Sequence, residues 1–183
     1  MDREKKPDVR QQIENAFYEV LHVKPINKIT VTDIMNAGGM TRQMFYHYFA
    51  DVDELVFWIH QNKTWKYSEN FYDGDTFVTV FERYMEELMK NRKFYMSIIK
   101  KESLNSFPNF FYRQMLENVE VYIKKYKRHT ISEDEDFSIK LYWHGATDML
   151  LDWIQDGMKT PPAVMAHRFY SCLPATLMRF YEE

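Results

Sequence analysis

The chain of 183 residues has one cysteine, Cys172, five glycines and six prolines. A single thiol builds neither an internal disulfide framework nor a cysteine-based zinc site, and Cys172 reads as a small buried hydrophobe. So few glycines and prolines argue against a sheet protein with many tight turns. No run approaches ~18 consecutive apolar residues, so no membrane span is expected. The first twelve residues, MDREKKPDVRQQ, lack the apolar segment of a secretory signal, and a cytoplasmic location is the expectation. An excess of positive charge is also missing, with 24 Lys and Arg against 27 Asp and Glu and a net charge of −3. A protein that grips polyanions over its whole surface is thereby excluded, although one positive face is not. There is no phosphate-cradling loop, no dinucleotide fingerprint and no Gly-x-Ser-x-Gly elbow. Neither catalysis nor a cofactor is expected.

What the chain does have is apolar material. Hydrophobic residues make up 45% and aromatic residues 17%, with 12 Met, enough for a core and for pockets or interfaces besides. Apolar positions recur every three or four residues, the period of amphipathic helices. The expected fold is all-α with about nine helices. Their spans are 7–23, a short helix from Thr30 to Gly38-Gly39, one from Thr41 to Tyr48-Phe49, and one from Asp51 towards Tyr67. After a turn at 73–75 follow 76–90, 92–101, 108–127, 133–157 and 161–182. Thr30 with Asp33 and Ser132 with Glu135 have the spacing of capping boxes. Pro161-Pro162 suits a helix start, and Pro174 is expected to kink the last helix by crowding the carbonyl of Tyr170.

The informative segment is Thr30 to Phe49. Two short helices flank a tight turn at Gly38-Gly39, where a left-handed backbone is needed that glycine adopts cheaply. Val31, Ile34, Met40, Phe45 and Phe49 can share one small core. This is the pattern of a helix-turn-helix, whose second helix enters the major groove of DNA. Its polar residues are Thr41, Arg42, Gln43, Tyr46 and His47. Arginine pairs bidentately with guanine and glutamine with adenine. Thr30 stands at a helix N-terminus, whose amides hold phosphate. Lys28, with Arg3, Lys5, Lys6 and Arg10, adds candidate backbone contacts.

The run from Thr30 to Leu55, with Phe45-Tyr-His-Tyr-Phe49 and Asp53-Glu54-Leu55, resembles the DNA-binding head of the TetR family. The similarity covers residues 7 to about 60. Within it, Thr-Asp-Ile-Met and Thr-Arg-Gln-x-Phe-Tyr-x-Tyr-Phe are more similar to the regulators of dihydroxyacetone kinase operons. The resemblance implies a three-helix head at 1–50 and a helical effector-binding and dimerisation domain at 51–183. It also implies a homodimer on a double-stranded DNA operator, and a transcription regulator, most simply an effector-responsive repressor. The alternative is an activator or co-regulator governed by a protein partner. By resemblance Thr30, Tyr46 and Tyr48 contact phosphates, and Arg42, Gln43 and His47 lie at or beside base-reading positions. Met35 departs from the family's alanine and should set the two helices further apart, and Val52 replaces a phosphate-binding lysine. Residues 1–60 hold seven Lys and Arg against nine Asp and Glu. Asp51, Asp53 and Glu54 should repel DNA, so modest, salt-sensitive affinity is expected.

In the remainder, the resemblance places a dimer interface on the last two helices. Leu141, Tyr142, Gly145, Asp148, Met149 and Trp153 run down the first. Phe169, Cys172, Leu173, Thr176, Leu177 and Phe180 run down the second. The same stripes can instead bury within one chain. Middle-helix aromatics and methionines from Trp65 to Trp143 either form core or line an effector cavity. Tyr84, Tyr95, Tyr122 and His144 would then be its polar groups. The basic run Lys124–Arg128 reads as a helix C-terminus facing the acidic start at 133–136. His144 and Asp148 alone are too few for a metal site, and none is expected.

Overall fold

The computed structural model describes residues 8–70, 75–99 and 106–182, and among them are ten α-helices and no strand. The expected contacts of Arg3, Lys5 and Lys6, most of the turn at 73–75 and the end of the 92–101 helix lie outside the described residues. Helix α1 (Val9–Val23) buries Ile13, Phe17, Val20 and Leu21 on one stripe. It stops at Lys24, ahead of Pro25, where a proline disfavours continuation. A single 3₁₀ turn (Ile26–Lys28) leads to α2 (Val31–Ala37), α3 (Arg42–Tyr48) and the long α4 (Val52–Asn70).

α5 (Phe77–Lys90), α6 (Arg92–Ile99) and α7 (Ser106–Val121) follow. α7 widens into a π turn at Tyr122–Tyr126, so the expected 108–127 helix is not uniform. α8 (Glu133–Gln155) is capped by Ser132 and Glu135 in the reciprocal manner their spacing predicts. The C-terminal pair is α9 (Pro162–Ser171) and α10 (Ala175–Tyr181). Pro174 therefore breaks the last helix instead of kinking it. It ends one hydrogen-bonded run at Cys172 and opens the next as its N-cap, which raises nine helices to ten.

α1 packs on α2 and α2 on α3. α4 lies against α5 and α7, α5 against α9, and α8 takes α6, α7 and α10. The buried apolar residues form one continuous core from Ile13 to Phe180. α4 serves both ends. Leu55, Val56 and Ile59 are fully buried, and further along Thr64 and Tyr67 turn inwards. Between them His60 is enclosed by Tyr95, Phe107 and Phe111, its Nδ1 3.0 Å from the Tyr95 hydroxyl. Burial holds its pKa down at about 3, so the ring is neutral.

Candidate nucleic-acid interface

The reading head is assembled by local chemistry. The Thr30 hydroxyl accepts the Asp33 amide at 3.2 Å, and the Asp33 carboxylate accepts the Thr30 amide at 2.8 Å. Lys24 approaches the same carboxylate at 2.6 Å. The Lys24 ammonium first, then the Thr30 hydroxyl and amide, hold the Asp33 carboxyl down at about 2. α2 closes with paired bonds: the Gly39 amide donates to the Asn36 carbonyl and the Met40 amide to that of Met35. This closure needs a left-handed residue between them, and Gly39 supplies it at φ +62°. Gly38 matters for a different reason. A Cβ there would crowd the methyl end of Met40 and come within 3.1 Å of the Ala16 Cβ. A side chain at position 38 would therefore make the Met40 side chain move aside and α1 give by a few tenths of an ångström.

α3 starts at Thr41, whose hydroxyl accepts the Met44 amide at 3.3 Å. Phe45 and Phe49 turn inwards with ring centroids 5.6 Å apart and join Ile34, while Val31 and Met40 are half-buried at the margin. Thr41, Arg42, Gln43, Tyr46 and His47 are left exposed on the outer side, with Tyr48 half-buried. Lys28 and Thr30 are exposed beside them. Arg42 lies along Tyr46, its Nη2 3.4 Å from the hydroxyl and its guanidinium carbon 5.9 Å from the ring centre. Arg10 of α1 reaches Tyr48 at 5.7 Å, and the His47 and Tyr48 rings meet at 4.9 Å. A cation from α1 is therefore brought to the same surface. Met44 is also exposed on this face, although its residue type alone suggests core. The signal that places it outside is its position one residue, about 100°, before buried Phe45.

Acidic residues beside the head have structural work. Asp51 accepts the Glu54 amide at 2.8 Å, and the Glu54 carboxylate accepts the Ala50 amide. Both cap α4, where its dipole favours negative charge. Val52, expected as a lost phosphate contact, is buried in the core. Met35 is buried as well.

In the helical body, Tyr84 and Tyr122 stand on the wall of a cavity of about 40 Å³, together with Phe81, Met115 and Trp143. Tyr95 and His144 do not reach it. Tyr95 is committed to His60, and His144 is exposed, its ring stacked on Tyr112 at 3.8 Å. Of the expected dimer stripes, Leu141, Gly145 and Met149 face outwards, but Trp153, Phe169, Leu173, Leu177 and Phe180 belong to the chain's own core. The exposed stripe on α8 is completed by Phe137, which lies one turn ahead of the expected set. Phe137, Leu141 and Met149 are 68%, 65% and 58% exposed, and Met149 lines a groove with Met165 of α9 and with Cys172 just past its end, which is exposed and not the buried hydrophobe the sequence suggests. Among the described residues no three His, Cys, Asp or Glu side chains converge to hold a metal, and no helix is long and apolar enough to cross a membrane.

Residues 75–174 match a TetR family model described as a transcriptional regulator C-terminal region. The "HTH-type dhaKLM operon transcriptional activator DhaS" of Lactococcus lactis subsp. lactis (strain IL1403) is 30% identical over 111 residues. That match takes in 58% of this chain and only 57% of the relative's length. Among solved structures, the dihydroxyacetone kinase operon activator DhaS superposes with a TM-score of 0.70 at 21% identity, covering 97% of this chain and all of that one. The TetR family repressor AlkX from Dietzia sp. strain DQ12-45-1b gives 0.60 at 12%, over 97% and 100% of the two chains. The fatty acid degradation regulator FadR from Bacillus halodurans gives 0.57 at 15%, over 93% and 96%. At these identities the structures speak for the fold. The relatives are regulators, not enzymes.

Proposed function

The chain belongs to the TetR family of transcription regulators, and we propose that it reads an operator as a homodimer through α3, residues 1–50 forming the head and 51–183 the sensing and dimerising domain. The observation that carries this reading is the exposed set Thr41, Arg42, Gln43, Tyr46 and His47 on a capped helix whose other side is locked by Phe45. Arg42 and Gln43, in its first turn, are the base readers, and His47 adjoins them. Lys28, Thr30, Thr41, Tyr46 and Tyr48 hold phosphates. Met44 offers an apolar contact for a thymine methyl.

Two copies meet across the α8 stripe of Phe137, Leu141 and Met149, the most exposed of the body's large apolar side chains. A two-fold pair of heads then matches two half-sites. A signal bound better by one arrangement shifts the separation of the heads through α4, which is buried against both ends of the molecule. The simplest outcome is an effector-responsive repressor.

A second reading is favoured by the small cavity and by the name of the Lactococcus lactis relative. In it the chain activates transcription and takes its signal from a protein partner. A mobility shift on duplex DNA from the gene's own upstream region, at low and high salt with nonspecific competitor, tests both. Competitor-resistant binding that weakens steeply with salt supports operator recognition. Its absence at both salts refutes unaided recognition, and binding regained only with cell lysate turns the case to the second reading. A reporter behind the same region gives the sign.

A further inference from the structure

The inner cavity between α4, α5, α7, α8 and α10 differs from ordinary core in one respect. Three hydroxyls on its wall are already committed. Tyr67 donates to Glu87 at 2.9 Å, Tyr122 to the Phe180 carbonyl at 3.0 Å, and Thr64 to the His60 carbonyl at 2.8 Å. The Tyr84 hydroxyl and the Trp143 indole N–H are not. Both side chains stand on the wall, only 4% and 3% exposed, and neither polar atom has a partner among the described residues.

We propose that this cavity binds a small uncharged molecule carrying a hydrogen-bond acceptor on a short apolar body, such as a short-chain ketone or amide. The proposal rests on reading the helical body as the receiver of a signal, and it names the class of that signal. Buried donors left unpaired are costly, so an occupant that accepts from them is favoured. The indole only donates, which requires an acceptor on the ligand. Burial pushes the Tyr84 phenol well above its ordinary range, so it too remains a donor. Val80, Phe81 and Met115 supply apolar wall, and among the described residues no ionised side chain lines the cavity. A carboxylate or an ammonium would lose its hydration there without a counter-charge. The volume of about 40 Å³ restricts the occupant to a few heavy atoms.

The test uses the full chain with ¹⁵N-labelled tryptophan. It has four tryptophans, so four indole signals, and the one lost in Trp143→Phe is that of Trp143. Millimolar 2-butanone is expected to move this signal saturably while those of Trp58, Trp65 and Trp153 stay. Butyrate and butylammonium at the same concentrations leave it in place. Tyr84→Phe weakens the butanone response by about fivefold, the loss of one neutral hydrogen bond. No saturable movement, which would mean water alone fills the cavity, overturns the proposal. So does an equal response to butyrate, or an undiminished response in Tyr84→Phe. A parallel mobility shift with 2-butanone separates the two levels. Saturable indole movement with unchanged DNA binding upholds the site and removes the regulatory reading beneath it.

Discussion

The Glu14 carboxylate, 3% exposed on α1, meets the Lys63 ammonium of α4 at 3.1 Å. Gln11 donates to its other oxygen at 3.0 Å, and Lys63 lies 5.4 Å from the centre of the Tyr18 ring. The contact ties the head to the middle of the helix that reaches the body. Lys63→Met leaves a buried, uncompensated carboxylate. Because the lysine is itself partly exposed, the loss should be about 2 kcal/mol, below the range for fully buried pairs. Urea denaturation checks it, and the double variant Glu14→Leu, Lys63→Met should recover most of the loss.

Asp33 sets an acid limit on the head. Its folded pKa, about 2, lies below the ordinary 3.8. The unfolded chain therefore takes up this proton first as pH falls. The stability contributed is complete above about pH 4 and disappears as pH drops towards 2. In urea midpoints measured across that window, Asp33→Asn should give a flatter profile than the parent. An equally steep profile would show that the Lys24 and Thr30 contacts are not what acid removes.

Replacing both Arg42 and Gln43 with Ala should lower specific DNA affinity by about thirtyfold or more, two base-edge contacts being lost. Weak nonspecific binding and the sedimentation of the dimer should survive. Both side chains are exposed, so the melting temperature should stay within about 1 kcal/mol equivalent of the parent. Unchanged operator binding would mean that other residues read the bases.

Leu141→Glu with Met149→Glu should dissociate the homodimer, because each places a charge on the α8 stripe. Neither side chain belongs to the core of its own chain, so a folded monomer with unchanged helical content is expected by sedimentation and circular dichroism. Operator affinity should fall with the dimer. A dimer that persists would place the interface elsewhere.

The head is legible in the sequence because its determinants are local. Thr30 and Asp33 are three residues apart, Gly39 must be left-handed, and Phe45 and Phe49 share a face by helical period alone. The body is less so. Periodicity makes Phe169, Leu173, Leu177 and Phe180 an apolar face but does not say what covers it, and the covering is the chain's own α5 and α8. Phe137 follows a run of four acids and belongs to neither expected stripe, yet it heads the exposed one. Tyr84 and Tyr122 reach the cavity while Tyr95 and His144 do not, because that outcome depends on how each helix is rotated about its axis by packing distant in sequence. Pro174 is recognisable as a disruption, but whether a helix bends or restarts depends on what the next segment can grip.

That restart has a mechanical meaning. α10 is a short bolt seated by Leu177 and Phe180, by the ion pair of Arg179 with Glu135, and by the Tyr122 hydroxyl on the Phe180 carbonyl. Its Tyr181 forms part of the cavity wall. No continuous helix joins α10 to α9, so α10 is held by its own seat on α8 and the π turn and not by the helix before it. In the proposed pair, an occupant of the chamber therefore presses on α10 through Tyr181 and not directly on the Phe137, Leu141 and Met149 stripe.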